Sequence, residues 1–161
     1  MATTYAGATI GLVAAAPTTY NAAGYEALTF VTGTCALHSV PAISRDWAKV
    51  TETLVCQTTN NDLKGSSKYA PVQYMLSSLD GDAAQALYIT AEAASDGTAS
   101  IYSFELTLPG GVGIGGSLYF RAQVSKFALV DGGSQDTIHT RSVELLIQTT
   151  LAGDPLWVVA A

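Results

Sequence analysis

The chain has 161 residues, of which 48% are apolar and only 12% charged, with thirteen acids against seven bases for a net charge of −6. That length suits one domain with a sizeable core, and the apolar content excludes an intrinsically disordered chain. The bases (Arg45, Lys49, Lys64, Lys68, Arg121, Lys126 and Arg141) form no run or stripe, so tight binding to nucleic acid, which depends on neutralising phosphates, is excluded.

Residues 1–25 carry no charge and are rich in Ala, Thr and Gly. No positive n-region precedes the short Ala-rich stretch Ala8–Ala16, which is too short to span a bilayer. A cytoplasmic product without membrane insertion is expected, with Cys35 and Cys56 kept as thiols. Gly7–Ala14 has strand character but no partner nearby in sequence, so the stretch reads as an N-terminal arm that packs elsewhere in an assembly or as a frayed terminus.

From Glu26 the text turns β-rich. Ala27–Gly33 reads as a strand ending in Gly. Asp46–Val55 alternates, with Trp47, Lys49, Thr51 and Thr53 opposite Ala48, Val50 and Leu54. Cys56–Lys68 reads as a polar loop, long for a β connection and therefore a candidate for a task beyond joining strands. Tyr69–Leu79 follows as a strand whose early Pro71 suits a sheet edge.

A single helix is expected over about residues 82–95. Asp82 caps its first turn, Gln85 completes a capping-box pattern, and Ala83, Ala84, Leu87, Tyr88, Ala91 and Ala94 fall at helical spacing before Asp96-Gly97. Three cleaner strands come next. Tyr102, Phe104, Leu106 and Leu108 alternate with Ser103, Glu105 and Thr107. Leu118, Phe120, Ala122 and Val124 alternate with Tyr119, Arg121, Gln123 and Ser125. Val143, Leu145 and Ile147 alternate with Ser142, Glu144 and Gln148. Such period-two patterns mean antiparallel strands with one dry and one wet face. Turns at Pro109–Gly116 and Asp131–Asp136 join them. The predicted class is mainly β, an antiparallel sandwich or barrel with one flanking helix.

Catalytic signals are weak throughout. Gly111-Val112-Gly113-Ile114-Gly115-Gly116 fits G-x-G-x-x-G but leads into a strand, whereas a dinucleotide site needs a helix N-terminus there. His38 and His139 have no companion ligands at metal spacing. Asp80 and Asp82 are better explained by helix capping than as paired acids, and Asp131–Asp136 lacks the spaced carboxylates of a calcium loop. No nucleophile elbow surrounds any Ser or Cys. No catalytic residue, cofactor or metal ligand is expected.

Several short motifs occur in an order that resembles the tail tube proteins of siphophages, over Glu26 to Thr149. They are Leu28-Thr29-Phe30-Val31, the stretch with Ser39-Val40-Pro41-Ala42-Ile43, and Lys49-Val50-Thr51-Glu52-Thr53-Leu54. Lys64-Gly65-Ser66-Ser67-Lys68, Phe104-Glu105-Leu106-Thr107-Leu108-Pro109-Gly110 and Tyr119-Phe120-Arg121-Ala122-Gln123-Val124-Ser125-Lys126-Phe127 continue the series. Ala122 stands where that family often has Gly, and no added immunoglobulin-like domain is expected after Leu151–Ala161.

The resemblance implies a tail-tube-like domain at 26–150, between the arm at 1–25 and a C-terminal tail at 151–161. It implies hexameric rings whose inner strands join into one barrel, stacked into a hollow tube of the virion tail. The tape measure protein would fill the lumen before DNA slides through without specific binding. Tail terminator and distal tail or baseplate proteins would close the ends. The long loop, with Thr58, Thr59, Asn60, Asn61, Asp62, Lys64 and Lys68, corresponds to the family's ring-to-ring loop. Glu52, Glu105, Gln123 and Glu144 are lumen candidates. A secretion-system tube shares this fold, and a phage-like gene transfer particle is not separable from a phage. From another class stands a monomeric β module that binds a sugar or small ligand through aromatics such as Trp47 and Trp157.

Overall fold

The computed structural model describes residues 6–33, 37–53, 61–78, 81–95, 97–110, 115–130, 138–149 and 153–159. In chain order its elements are β1 (Thr9–Val13), α1 (Ala22–Glu26), β2 (Val31–Thr32), β3 (Arg45–Glu52), β4 (Asn61–Tyr69), β5 (Val72–Ser77), α2 (Ala83–Ala93), β6 (Ile101–Leu108), β7 (Gly116–Val130), β8 (Thr140–Ile147) and β9 (Leu156–Val159). A seven-stranded sheet runs β2-β1-β6-β7-β8-β5, with β9 also on β7, and β3 and β4 form a separate hairpin. Every pairing is antiparallel. The mainly β class with a flanking helix is therefore as the alternation predicts.

The fifteen residues of β7 organise the sheet. Its first half lies between β6 and β9, while its second half pairs with β8. The register slips between Val124 and Lys126, and such a bulge bends a strand and increases its twist. The sheet curls enough for β1 and β5 to reach the same small cavity of about 20 Å³, lined also by Ala84, Gln85 and Tyr88 of α2.

The dry faces of β6, β7 and β8 are those the alternation marks. Phe104, Leu106, Phe120, Ala122, Val143 and Leu145 are each at most 2% exposed. They pack with Tyr88 and Ala91 of α2, Val72, Tyr74 and Leu76 of β5, and Ile10 and Leu12 of β1. Phe104 stacks on Phe120 at 5.3 Å, and Tyr88 on Phe127 at 5.3 Å. Full burial of one such side chain contributes about 1.5–3 kcal/mol, so this layer dominates the stability.

α2 starts where expected: the Asp82 carboxylate accepts from Ala84 N at 3.3 Å. Gln85 is buried and donates its amide to the Ser77 carbonyl at 2.6 Å, tying the helix to β5. Pro71 precedes β5 at a sheet edge, as its missing N–H favours. That edge is partly covered, since Leu37 bridges Leu76 and His38 N donates to Met75 O at 3.0 Å.

Four expectations are corrected. The stretch at 1–25 is not an appended arm over its described part, because β1 is an inner strand between β2 and β6. Only Val31–Thr32 of Ala27–Gly33 pairs as strand, and a short helix, α1, capped by Asn21 accepting from Gly24 N at 2.9 Å, precedes it. The tail at 151–161 contains β9, paired to the start of β7. Asn61, Asp62, Lys64 and Lys68 lie on strand β4, not in a loop. Its polar residues alternate without burial because β4 pairs with β3 and both its faces meet solvent. Thr58, Thr59 and Asn60 lie outside the described residues, as do Cys35, Cys56, Asp80, Gly111–Ile114 and Asp131–Asp136.

Candidate assembly surfaces

The β3–β4 hairpin projects from the body. Every residue of β3 after Arg45 is exposed, so the alternation read as one wet and one dry face separates two solvated faces instead. Register puts Arg45, Trp47, Lys49 and Thr51 on one side with Asp62, Lys64 and Tyr69. Lys49 pairs with Asp62 at 2.7 Å, and Thr51 donates to the same carboxylate at 2.9 Å. The Lys64 ammonium lies 5.4 Å above the Trp47 ring, and the Arg45 guanidinium lies 5.5 Å from it on the same side chain. On the other side Val50 faces Leu63 across the strands, 51% and 55% exposed.

Arg45 fastens the root of this hairpin. It pairs with Asp154 just ahead of β9, donates to Tyr69 Oη at 2.7 Å, and stacks over that ring. The hydrogen bond to Asp154, then that to Tyr69, holds the guanidinium above its usual range. A lone hairpin is marginal in water, so one that leaves Trp47, Val50 and Leu63 exposed is poorly buried by its own chain.

Of the lumen candidates, Glu105, Gln123 and Glu144 share the sheet face opposite α2, whereas Glu52 sits on the hairpin. Glu105 accepts from Ser117 Oγ at 3.0 Å and Tyr119 Oη at 3.1 Å. Glu144 accepts from Gln73 at 2.7 Å and Ser125 at 2.8 Å. The Ser125 hydroxyl, then the Gln73 amide, holds its carboxyl below the usual range. Gln123 accepts from Gln148 and donates to Ser100 at 2.6 Å.

Only part of that face is wet. Tyr119 and Arg121, expected in solvent, are 5% and 7% exposed, because residues 14–30 cross over them. Tyr25 stacks on Tyr119 at 5.2 Å, and Phe30 leans on the same ring. Arg121 donates to the Ala15 and Ile101 carbonyls and to Ser103 Oγ, while its Nε has no partner among the described residues. Burial lowers the Arg121 pKa and raises that of Tyr119. The open remainder is a groove beside β5 and β8, lined by Ser39, Gln73, Met75, Lys126, Ser142 and Glu144.

A second groove of about 560 Å³ lies between the start of β7 and β9, lined by Glu26, Leu108, Pro109, Tyr119, Val158 and Val159 among others. Sequence reasoning missed it, because its walls come from α1, β6, β7 and β9, which only the fold assembles. Among the described residues no three His, Cys, Asp or Glu gather as a metal site, and no helix is long and apolar enough to cross a membrane.

No protein-family model matches the chain, and no curated protein sequence does. Among solved structures, the fold resembles a chain of the anti-feeding prophage (AFP) baseplate, solved by cryo-EM with sixfold symmetrisation. The likeness has a TM-score of 0.65 at 8% identity and covers 94% of this chain and 91% of that one. A type six secretion system protein (TM-score 0.47, 10% identity, 92% and 90% covered) and an Hcp protein (TM-score 0.41, 14% identity, 95% and 98% covered) superpose more loosely. The likeness is one of fold. It does not single out the siphophage tail tube.

Proposed function

We propose that the chain is a structural, non-catalytic subunit of a tail tube or tube–baseplate junction in a phage or phage-like particle. Six copies close into a ring, and rings stack into a hollow tube of the virion tail. The observation that carries this reading is the likeness of fold, over 94% of the chain, to a chain of a sixfold-symmetrised prophage baseplate. The hairpin supports it, since exposed Trp47, Val50 and Leu63 are what a subunit displays before a neighbour covers them.

In this reading Gln123 and Glu144, with Glu105 at the covered end, face the lumen. Their hydroxyl and amide neighbours, with few bases among them, let DNA slide without a grip on its phosphates. The tape measure protein occupies the lumen first, and terminator and distal tail or baseplate proteins close the ends. The hairpin, with Asn61, Asp62, Lys64 and Lys68 on β4, reaches the next ring.

Negative-stain electron microscopy of the concentrated protein tests this. Sixfold rings or tubes of about 80–110 Å outer diameter, one packed layer outside a closed barrel, are expected. Antibody labelling that finds the chain on a particle anywhere but its tail overturns the reading.

A further inference from the structure

The charge of this chain is segregated. Residues 45–69 hold four of the seven bases but three of the thirteen acids, a balance of +1, and the rest of the chain carries −7. Within the hairpin the bases are concentrated further. Arg45, Lys49 and Lys64 share the Trp47 face with a single acid, Asp62. Among the described residues Lys64 makes no ion pair and lies over the Trp47 ring.

The groove between β7 and β9 has the opposite character. Glu26 lines it and is exposed, Glu105 accepts the Ser117 and Tyr119 hydroxyls that line it, and no base is among the described residues that line it. Both carboxylates act on Tyr119 to raise its pKa, behind the larger effect of burial. Leu108, Pro109, Val158 and Val159 add apolar walls, and Val159 is 45% exposed.

We infer that the Trp47 face of the hairpin docks in the β7–β9 groove of a second copy of this chain, with Lys64 against the Glu26 carboxylate and the Trp47 ring against Val158 and Val159. This rests on the assembly reading and adds to it the receiving surface and the force that selects it. A base and an acid on different patches of one chain cannot be satisfied by a twofold contact of one patch with itself. On separate patches they permit a head-to-tail contact, which repeats from copy to copy. Opposite potentials also steer the encounter and reject other registers. Such a contact is screened by salt, since the Debye length falls from about 10 Å at 0.1 M to about 3 Å at 1 M.

Sedimentation of the full chain against salt reads the association, and carbodiimide cross-linking of mixed light and ¹⁵N-labelled chains reads the site. An intermolecular Lys64–Glu26 cross-link is expected. Lys64→Glu and Glu26→Lys should each weaken association by about tenfold, and the double variant should recover most of it. Both positions are exposed, and circular dichroism checks that each variant folds. Self-association with Lys64 joined to other carboxylates, or a double variant as weak as the single ones, overturns the docking while the assembly reading stands. A chain that stays monomeric at every concentration and salt overturns both.

Discussion

Arg121 Nη1 donates to the carbonyl oxygen of Ala15 at 3.0 Å, joining positions 106 residues apart. Arg121 is 7% exposed, and among the described residues its guanidinium meets neutral acceptors only, namely the Ala15 and Ile101 carbonyls and Ser103 Oγ. Burial without a carboxylate is costly for a cation, and the lowered pKa carries that cost. What the arrangement achieves is local. It holds residues 14–30 across the face of β6 and β7, where Tyr25 then stacks on Tyr119.

Arg121→Met should therefore loosen this strap more than it lowers global stability. The Ala15 carbonyl keeps the Ser103 hydroxyl at 2.7 Å, while Ile101 loses its side-chain donor. A net loss of about 1–3 kcal/mol in urea unfolding is expected. Hydrogen exchange should rise at least about tenfold for amides of residues 14–28, and by no more than the global loss in β8. Unchanged protection of the strap would mean that the aromatic stack alone holds it.

The strap also marks where the sequence stopped being legible. Phe104, Phe120 and Val143 announce themselves by alternation because α2 buries one face of their strands, and Asp82 announces that helix by its cap. Tyr119 and Arg121 fall in the wet register of β7, and only a segment some hundred residues earlier buries them. Nothing local encodes that. β1 is similar, since its five residues pair with β6 far along the chain, and long-range pairing leaves no mark on neighbouring text. β4 failed for another reason. Asn61-Asp62-Leu63-Lys64-Gly65-Ser66-Ser67 lacks strand formers, and a hairpin wet on both faces needs no alternation. Of the site residues, the alternation brought Glu105, Gln123 and Glu144 onto one face, but the β7–β9 groove had no linear signature.

Alkaline pH should expose a second weakness. Tyr74 Oη and Tyr88 Oη lie 2.6 Å apart in the core, and burial raises both pKa values above the ordinary 10.0. For an acid held neutral, the folded value exceeds the unfolded one. The stability they contribute is thus complete below about pH 10 and is lost as pH rises from there through the folded values. Each tyrosine removes about 1.4 kcal/mol per pH unit in that window. Urea midpoints should hold steady from about pH 8 to 9.5 and fall steeply above 10, and Tyr74→Phe should shallow the fall. A midpoint indifferent to pH up to about 11.5 would contradict the buried pair. Tyr74→Phe should also cost about 1–3 kcal/mol at neutral pH, because it leaves the Tyr88 hydroxyl without this partner.

Gly116 opens β7 opposite Val159 of β9, and a Cβ placed on it would lie 2.2 Å from the Val158 carbonyl oxygen. That oxygen belongs to paired backbone and has little room to yield, so the glycine answers to close approach of two strands. Gly116→Ala should push β9 off β7 at a cost of about 1–3 kcal/mol, the usual range for overpacking. The four residues of β9 hold Trp157, 40% exposed, so its emission should shift to the red while exchange rises more in β9 than in α2 and β8. Because Val158 and Val159 line the groove assigned to the hairpin of a second copy, the same variant should weaken self-association without touching a charge. Arg45 and Asp154 still pair at the root of the hairpin, so the hairpin itself stays in place. A Gly116→Ala chain that associates like the wild type, with β9 shown to be displaced, would remove the groove from the contact.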